Sequence, residues 1–371
     1  MAIKKITAPS FLVDRQARIR SAMGAEKLTA LLLTNFADVS YTTGFEGDDS
    51  WALILPDRIY LISDFRYVEQ IGIECPWVTL LVRKKSLADE VGRIAAKHRL
   101  AQIGVQGEFL TLRQKRTIEV AVKPAKTKLK PVFDLMSKLR NIKDVHELGI
   151  TEEAVRIAQD GFLAARSQLQ VGMTENELAA LLGYEMRRRG ASNTAFDSII
   201  CAGANGSLPH YRPADVRLTD NMAVLCDWGA IYRAYRSDLT RMIFIGKVPA
   251  KISEIYKIVL EAQQAAIEAI KPGAEARKID KKARDIITRA GYGKNFGHSL
   301  GHGVGRDIHE PLSLSSKSTT TLAPGMVLTI EPGIYLPGIG GVRIEDDVLV
   351  THDGYRLLSS LPRDIDSARL M

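Results

Sequence analysis

A chain of 371 residues exceeds what one hydrophobic core organises, so two or three domains are expected. At 46% hydrophobic and 25% charged it sits at the globular average, which excludes a disordered or fibrous chain, and its longest apolar runs, around Leu31–Leu33 and Trp51–Leu55, fall far short of the roughly 18 residues of a membrane span. The net charge of +8 raises the question of nucleic acid, but the excess is confined to residues 1–145, with 24 Lys and Arg against 16 Asp and Glu, while the remainder is balanced at 27 against 27.

The N-terminus MAIKKITAPSF has lysines but no apolar run and no small-residue cleavage site, which argues against a secretory leader. Strand-type runs follow at Leu28–Thr34, Ala52–Leu55, Ile59–Ile62 and Trp77–Val82, with helical patterns at Asp14–Met23 and Leu87–His98. That alternation predicts a small α/β domain. The basic excess peaks between Arg83 and Lys130, where no aromatic residues interleave the lysines of VKPAKTKLKP; it reads as a solvated face and not as a nucleic-acid footprint. A domain boundary is expected within 131–148, giving domains 1–138 and 139–371, with a long helix starting near Asp144. Three cysteines without a CxxC pair (Cys75, Cys201, Cys226) fit a reducing compartment, so the cytoplasm is the expected location, and they exclude a cysteine metal site.

The second part repeats itself. QLQVGMTENELAALLGYEMRRRGAS, from Gln168, matches AIKPGAEARKIDKKARDIITRAGYG, from Ala269, with Gly172 and Gly190 corresponding to Gly273 and Gly291 at an offset of 101. A helical pattern precedes each copy (Glu152–Gln168 and Ile252–Ile270), and β-type runs follow each. Two helix-helix-strand-strand units predict one α+β domain with pseudo-twofold symmetry, strands inside and helices outside.

Each copy sets acids at strand ends. The run Met222–Cys226 leads into Asp227 and a second run follows Asp238; Val327–Ile330 leads into Glu331, and Glu345 leads into Val348–Val350. If each hairpin is centred midway between its two acids, between Tyr232 and Arg233 in the first and at Gly338 in the second, each pair lies about 5 Å apart on adjacent strands. Four converging buried carboxylates repel unless neutralised, and two divalent cations would do so; pairing with the nearby Arg241 and Arg343 is the competing explanation. Of seven histidines, His298, His302 and His309 crowd one glycine-rich segment and His210 lies in SLPHYRP, whereas His98, His146 and His352 receive no role. Carboxylate-rich coordination with a single imidazole and no cysteine favours manganese or cobalt, with zinc or iron next.

DWGAIYRAYRSDLTR, HSLGHGVGRDIHE, EPGIY and GVRIEDD, in that order, resemble the metal-binding motifs of the pita-bread metallopeptidases, and TNFADVSYTTGFEGDDSWALILPDRIYLISDFRYVEQ resembles the creatinase/prolidase-type N-terminal domain. Together they cover nearly the whole chain and are similar to the Xaa-Pro peptidases, aminopeptidase P and prolidase. The resemblance implies metal ligands Asp227, Asp238, His302, Glu331 and Glu345, with Asp238 and Glu345 bridging two ions, and attack on the scissile carbonyl by a hydroxide shared between them. It implies Glu331 as proton shuttle, His210 and His309 as hydrogen-bond donors to the intermediate, and His298, Tyr335 and Arg343 around the proline side. Peptides with proline second are the implied substrates and a homo-oligomer, a dimer first, the implied assembly, with no nucleic acid or membrane partner. The architecture without extra insertions favours the aminopeptidase, with the dipeptidase as the alternative. Arg306 stands where the family has an apolar residue, and Ala234 where glycine is common.

Two readings from other classes compete. GHSLG at Gly297–Gly301 satisfies the G-x-S-x-G elbow, and Ser299, Asp347 and His352 make a triad on paper, but no strand precedes the serine and no helix follows it. A catalytically inactive pita-bread binding module would have lost metal ligands, and all five are present.

Overall fold

A computed structural model describes residues 7–370, and the residues divide into two compact units, 1–139 and 140–371. The first residues of the stretch read above for a leader lie outside the described ones. In the first unit α1 (Ser10–Ala25), β1 (Leu31–Leu33), α2 (Phe36–Thr43), β2 (Trp51–Ile54), β3 (Ile59–Ser63), α3 (Val68–Glu74), β4 (Thr79–Val82), α4 (Leu87–Lys97), β5 (Gln102–Gln106), α5 (Leu112–Val122), β6 (Lys128–Val132) and α6 (Leu135–Asn141) follow in order. They form one mixed sheet, β4-β3-β2-β1-β5-β6, whose first two ladders from β1 through β3 are antiparallel and whose others are parallel.

Side chains of the central strands alternate between two cores, as the two-residue period of a strand requires. Leu31, Leu33, Ala52, Ile54 and Leu61 pack with Ile19, Met23 and Val39 on one face. Leu32, Leu53, Tyr60 and Ile62 pack with Val91, Ile94 and Ile118 on the other. Both faces are covered by helices, which is why these strands read as continuous apolar runs. The expected first strand is shorter than predicted: Lys27 has φ 55 and Leu28 N–H donates to the Met23 carbonyl, so Leu28 closes α1 and buries its side chain there.

The second unit runs α7 (Val145–Ser167), α8 (Glu175–Arg188), β7 (Asn193–Thr194), β8 (Ile199–Ala202), β9 (Met222–Trp228), β10 (Ala230–Tyr232), β11 (Tyr235–Arg236) and β12 (Leu239–Ile245). Then come α9 (Ala250–Glu268), α10 (Ala276–Arg289), β13 (Gly301–Gly303), β14 (Glu310–Leu314), β15 (Val327–Ile330), β16 (Gly333–Leu336), β17 (Gly340–Arg343), β18 (Asp346–Val350) and β19 (Tyr355–Leu357). Asp144 caps α7 in a reciprocal capping box with Glu147, which fixes the start of the long helix. On β9 and β12, Val224, Cys226, Trp228 and Ile243 face the core under α7 and α8. Their neighbours Ala223, Leu225, Met242 and Phe244 face the core under α9 and α10.

The internal repeat is written in the backbone. Gly172 N–H donates to Leu218 O and Gly273 N–H to Leu322 O; Leu218 N–H returns to Met173 O and Leu322 N–H to Ala274 O; Glu175 N–H donates to Val216 O and Ala276 N–H to Thr320 O. All four repeat glycines, Gly172, Gly190, Gly273 and Gly291, hold the left-handed φ that an L side chain resists. The halves join where Thr240 and Glu345 bridge the central sheets.

One hairpin closes as expected and the other does not. Ile330 faces Asp346 and Gly333 faces Arg343, so Glu331 and Glu345 lie opposite one another. In the first hairpin Asp227 faces Thr240 and Trp228 faces Leu239, two residues out of the expected pairing. The cause is the turn: its central residues are Arg233 and Ala234, with φ 45 and 65, so the tip sits one residue later than the acids' midpoint. Among the described residues no helix is long and apolar enough to cross a membrane.

Candidate metal centre

Asp227 is the penultimate residue of β9, Asp238 precedes β12, Glu331 follows β15, Glu345 precedes β18, and His302 is central in β13. All five line one cleft of about 550 Å³, with His210, His298, His309 and Arg343 on its walls. The register shift in the first hairpin leaves Asp238 on the cleft, because a displacement of two residues preserves the face of a strand where a displacement of one would reverse it. Gly229 lets the chain pass there: a Cβ on it would lie 1.9 Å from the Ser237 carbonyl oxygen.

Ligand atoms of Asp238, His302 and Glu345 all fall within 4.8 Å of one another. His302 Nδ1 donates to the Gly303 carbonyl at 3.1 Å, which leaves the Nε2 lone pair exposed to Asp238 Oδ2 at 3.5 Å and Glu331 Oε1 at 3.4 Å. Burial pushes the His302 imidazole down to about 4, so near neutrality Nε2 carries no proton to offer either oxygen. A lone pair facing two carboxyl groups is an arrangement that a cation satisfies.

The acids tell the same story. Burial pushes the Asp238 carboxyl well above the usual carboxylate range, and Glu345, Asp227, Asp347 and Glu331 push it further. Burial also raises Glu345 well above that range, with Glu331 and Asp227 adding to it, and raises Glu331 to about 8 against the opposing pull of Arg343. Asp227 Oδ1 is buried without a hydrogen-bond partner. Among the described residues, no lysine or arginine forms an ion pair with Asp238, Glu331 or Glu345. Arginine neutralisation accounts for one acid only: Arg343 Nη2 reaches Asp227 Oδ2 at 2.5 Å, while Arg241 bonds Asp346 Oδ1 at 2.7 Å, away from the cleft. The donor set therefore fits divalent cations.

On the far wall runs a chain of hydrogen bonds. Arg343 Nη1 donates to the Tyr335 hydroxyl at 2.8 Å, the hydroxyl meets His298 Nε2 at 2.9 Å, and His298 Nδ1 meets the Ser299 carbonyl at 2.8 Å. The carbonyl can only accept, so Nδ1 donates, Nε2 accepts, and the chain runs one way from the guanidinium. His210 and His309 are exposed, and the His309 ring lies edge-on to His302 with centroids 4.4 Å apart.

Three residues support the site in ways the sequence reading did not assign to them. The Thr240 hydroxyl donates to Glu345 Oε2 at 2.6 Å and accepts from Arg343 Nε at 3.1 Å. Thr329 Oγ1 accepts from the His302 N–H and donates to Glu331 Oε1 at 3.3 Å. Asp347 Oδ2 accepts from the Asp238 N–H at 2.9 Å. Thr240 and Asp347 lie two residues beyond Asp238 and Glu345, on the face those acids share, and that alternation was the available signal. Arg306, the departure from the family pattern, is buried under its loop, with Nε donating to the Tyr235 hydroxyl at 3.1 Å and the guanidinium over that ring. Ser299 lies in irregular chain ahead of a strand, so the nucleophile elbow is not formed.

The sequence profile of metallopeptidase family M24 matches residues 150–352, and that of the creatinase/prolidase N-terminal domain matches residues 15–142. An Xaa-Pro dipeptidase of Pyrococcus horikoshii is 45% identical over 249 residues, 67% of this chain and 71% of that one. Among solved structures, an Xaa-Pro dipeptidase from Bacillus anthracis superposes with a TM-score of 0.91 at 37% identity, covering 95% of this chain and 99% of that one. An X-Pro aminopeptidase from Thermotoga maritima MSB8 gives 0.87 at 34%, covering 93% and 99%. The doubled second unit is thus a pita-bread domain behind a creatinase-type one, and the chain belongs to metallopeptidase family M24, a hydrolase that works with divalent metal ions.

Proposed function

We propose that the chain is an Xaa-Pro aminopeptidase that removes the residue preceding a proline at the N-terminus of peptides, with the chemistry in residues 139–371 and the creatinase-type domain in 1–138. The observation that carries the reading is the convergence of Asp238, His302 and Glu345 within 4.8 Å, beside two further buried acids. Asp227 and Asp238 would hold one ion and His302 and Glu331 the other, with Asp238 and Glu345 shared, and manganese suits this oxygen-rich set ahead of cobalt or zinc. Two such ions lower the pKa of water and polarise a carbonyl.

The chain's own groups do the rest. Glu331, ionised when it holds a cation, would take a proton from the attacking water and pass it to the proline nitrogen as the C–N bond breaks. His210 and His309 donate hydrogen bonds to the oxygen that becomes negative in the tetrahedral intermediate. His298, Tyr335 and Arg343 form the wall against which the proline side of the substrate rests. A cytoplasmic homodimer is the form we assign to it, and sedimentation of the purified chain tests the dimer.

A dipeptidase is the second reading, and Arg212 favours it. This guanidinium is exposed on the cleft wall and makes no ion pair among the described residues, whereas Arg343 is committed to Asp227, Thr240 and Tyr335. A free guanidinium fits the terminal carboxylate of an Xaa-Pro dipeptide. The deciding experiment offers Xaa-Pro and Xaa-Pro-Yaa to metal-stripped protein with manganese, cobalt or zinc restored. Cleavage of the tripeptide is expected; cleavage of the dipeptide alone, lost on Arg212→Ala, transfers the assignment to the dipeptidase.

A further inference from the structure

The two exposed cleft histidines stand on loops that the internal repeat relates, and each loop is gathered by one buried carboxylate. For the His309 loop it is Glu310, which accepts from Arg306 N–H at 3.2 Å and Asp307 N–H at 3.4 Å and pairs with Arg140 at 2.7 Å. For the His210 loop it is Glu175, the first residue of α8, which has no exposed surface. Its Oε1 accepts from Ala202 N–H at 2.7 Å and Asn205 Nδ2 at 2.9 Å, and its Oε2 accepts from the Tyr211 hydroxyl at 2.9 Å and Ala214 N–H at 3.0 Å. These donors come from both sides of His210, and none of the four is a cation.

Only a carboxylate supplies acceptors for four donors from one short side chain. The cost of burying its charge is offset by those bonds and by its place at the positive end of a helix. The fold itself does not ask for it. α8 is already started by the reciprocal box of Thr174 and Glu177, and the repeat-related position is Ala276, whose N–H makes the same backbone bond to the facing segment without any side chain. What distinguishes the first copy is the loop that follows, which forms the cleft wall from Pro209 to Arg212. Burial and the neighbouring Glu175 push the Tyr211 hydroxyl up to about 12, which keeps it a donor.

We infer that Glu175 is a positioning residue for His210: its carboxylate draws residues 202–214 onto the start of α8 and so sets where the imidazole meets the substrate. The inference rests on the proposed role of His210 in binding the intermediate. The test uses the full metal-loaded chain and a double-mutant cycle of Glu175→Ala and His210→Ala on an Xaa-Pro-Yaa peptide, with metal content and amide hydrogen exchange measured on every variant. Glu175→Ala is expected to lower kcat on the order of 10- to 100-fold with a smaller change in KM, as displacement of a group acting in the transition state does. In the His210→Ala background it should cost almost nothing more. Exchange should quicken at 202–214 and stay unchanged at 301–314, with metal content preserved. Glu175→Gln, which keeps one accepting oxygen, should lie between, and it carries the cycle if the alanine variant folds poorly. An equal loss in both backgrounds, or unaltered exchange at 202–214, overturns the inference. A wild-type chain that cleaves no Xaa-Pro bond refutes the proposed activity instead, and the exchange comparison still decides whether Glu175 fastens the loop.

Discussion

The hairpins Met222–Ile245 and Val327–Val350 are one device built twice, and they differ in how they close. The second turns through Pro337, Gly338 and Ile339, with Gly338 at φ 77, and sets its two glutamates face to face. The first turns on two non-glycine residues in left-handed conformation, and its two aspartates are offset along the strands. Both nevertheless deliver their acids to the same cleft, since the offset is an even number of residues. Strand parity governs which side chains enter such a site, and the exact pairing is secondary.

The comparison can be tested by perturbing each hairpin. The largest expected effect is that of Asp238→Asn, which removes from the first the acid proposed as a shared ligand: peptide hydrolysis should fall to background and bound metal, read by elemental analysis, should drop below the wild-type content. Full activity in a metal-replete variant would show that the assignment of Asp238 as a ligand is wrong. Next comes Thr240→Val, at the bridge between the halves. Loss of the hydroxyl leaves Glu345 Oε2 without its donor and Arg343 Nε without its acceptor, and metal affinity is expected to fall about 10- to 100-fold in a competition titration, the usual cost of removing a group that orients a ligand.

A third experiment concerns all four acids together. Glu331 in the metal-free fold titrates near 8, against an ordinary glutamate near 4.5, and Asp238 and Glu345 are raised as well. The folded state thus holds protons that the unfolded state has released. Stability from this source is complete below the ordinary carboxylate range and is lost as pH rises towards 8. Protein kept in chelator should therefore melt at a lower temperature at pH 8 than at pH 5, and restoring metal at pH 8 should recover the difference. The smallest effect is that of Ala234→Gly in the first turn: a left-handed alanine costs roughly 1–2 kcal/mol, part of which glycine returns through its freer unfolded chain, so a gain of about 0.5–1 kcal/mol in thermal denaturation is expected, with unchanged activity.

How much of this was legible in the sequence depended on whether the signal was local. The strands Ile59–Ser63 and Val327–Ile330 were readable because both their faces are buried and the apolar runs are unbroken. The site acids were readable because charge at the end of a buried strand is costly and calls for an explanation. The first hairpin's register was not, since Arg233 and Ala234 carry no glycine or asparagine to mark the tip. Glu175 was hidden differently: in TENEL it reads as an ordinary acid in a helix's first turn, and its four donors arrive from residues 27 to 39 positions away.

The one-way chain from Arg343 through Tyr335 to His298 has a consequence for kinetics. Burial holds the His298 imidazole down to about 4 and the Tyr335 hydroxyl up to about 12. Between those limits no proton enters or leaves His298 or Tyr335, so the wall proposed to meet the proline side of a substrate presents the same surface on either side of neutral pH. Any inflection in the pH-rate profile near neutrality then belongs to groups elsewhere in the cleft, among which His210 and His309 stand beside the acids.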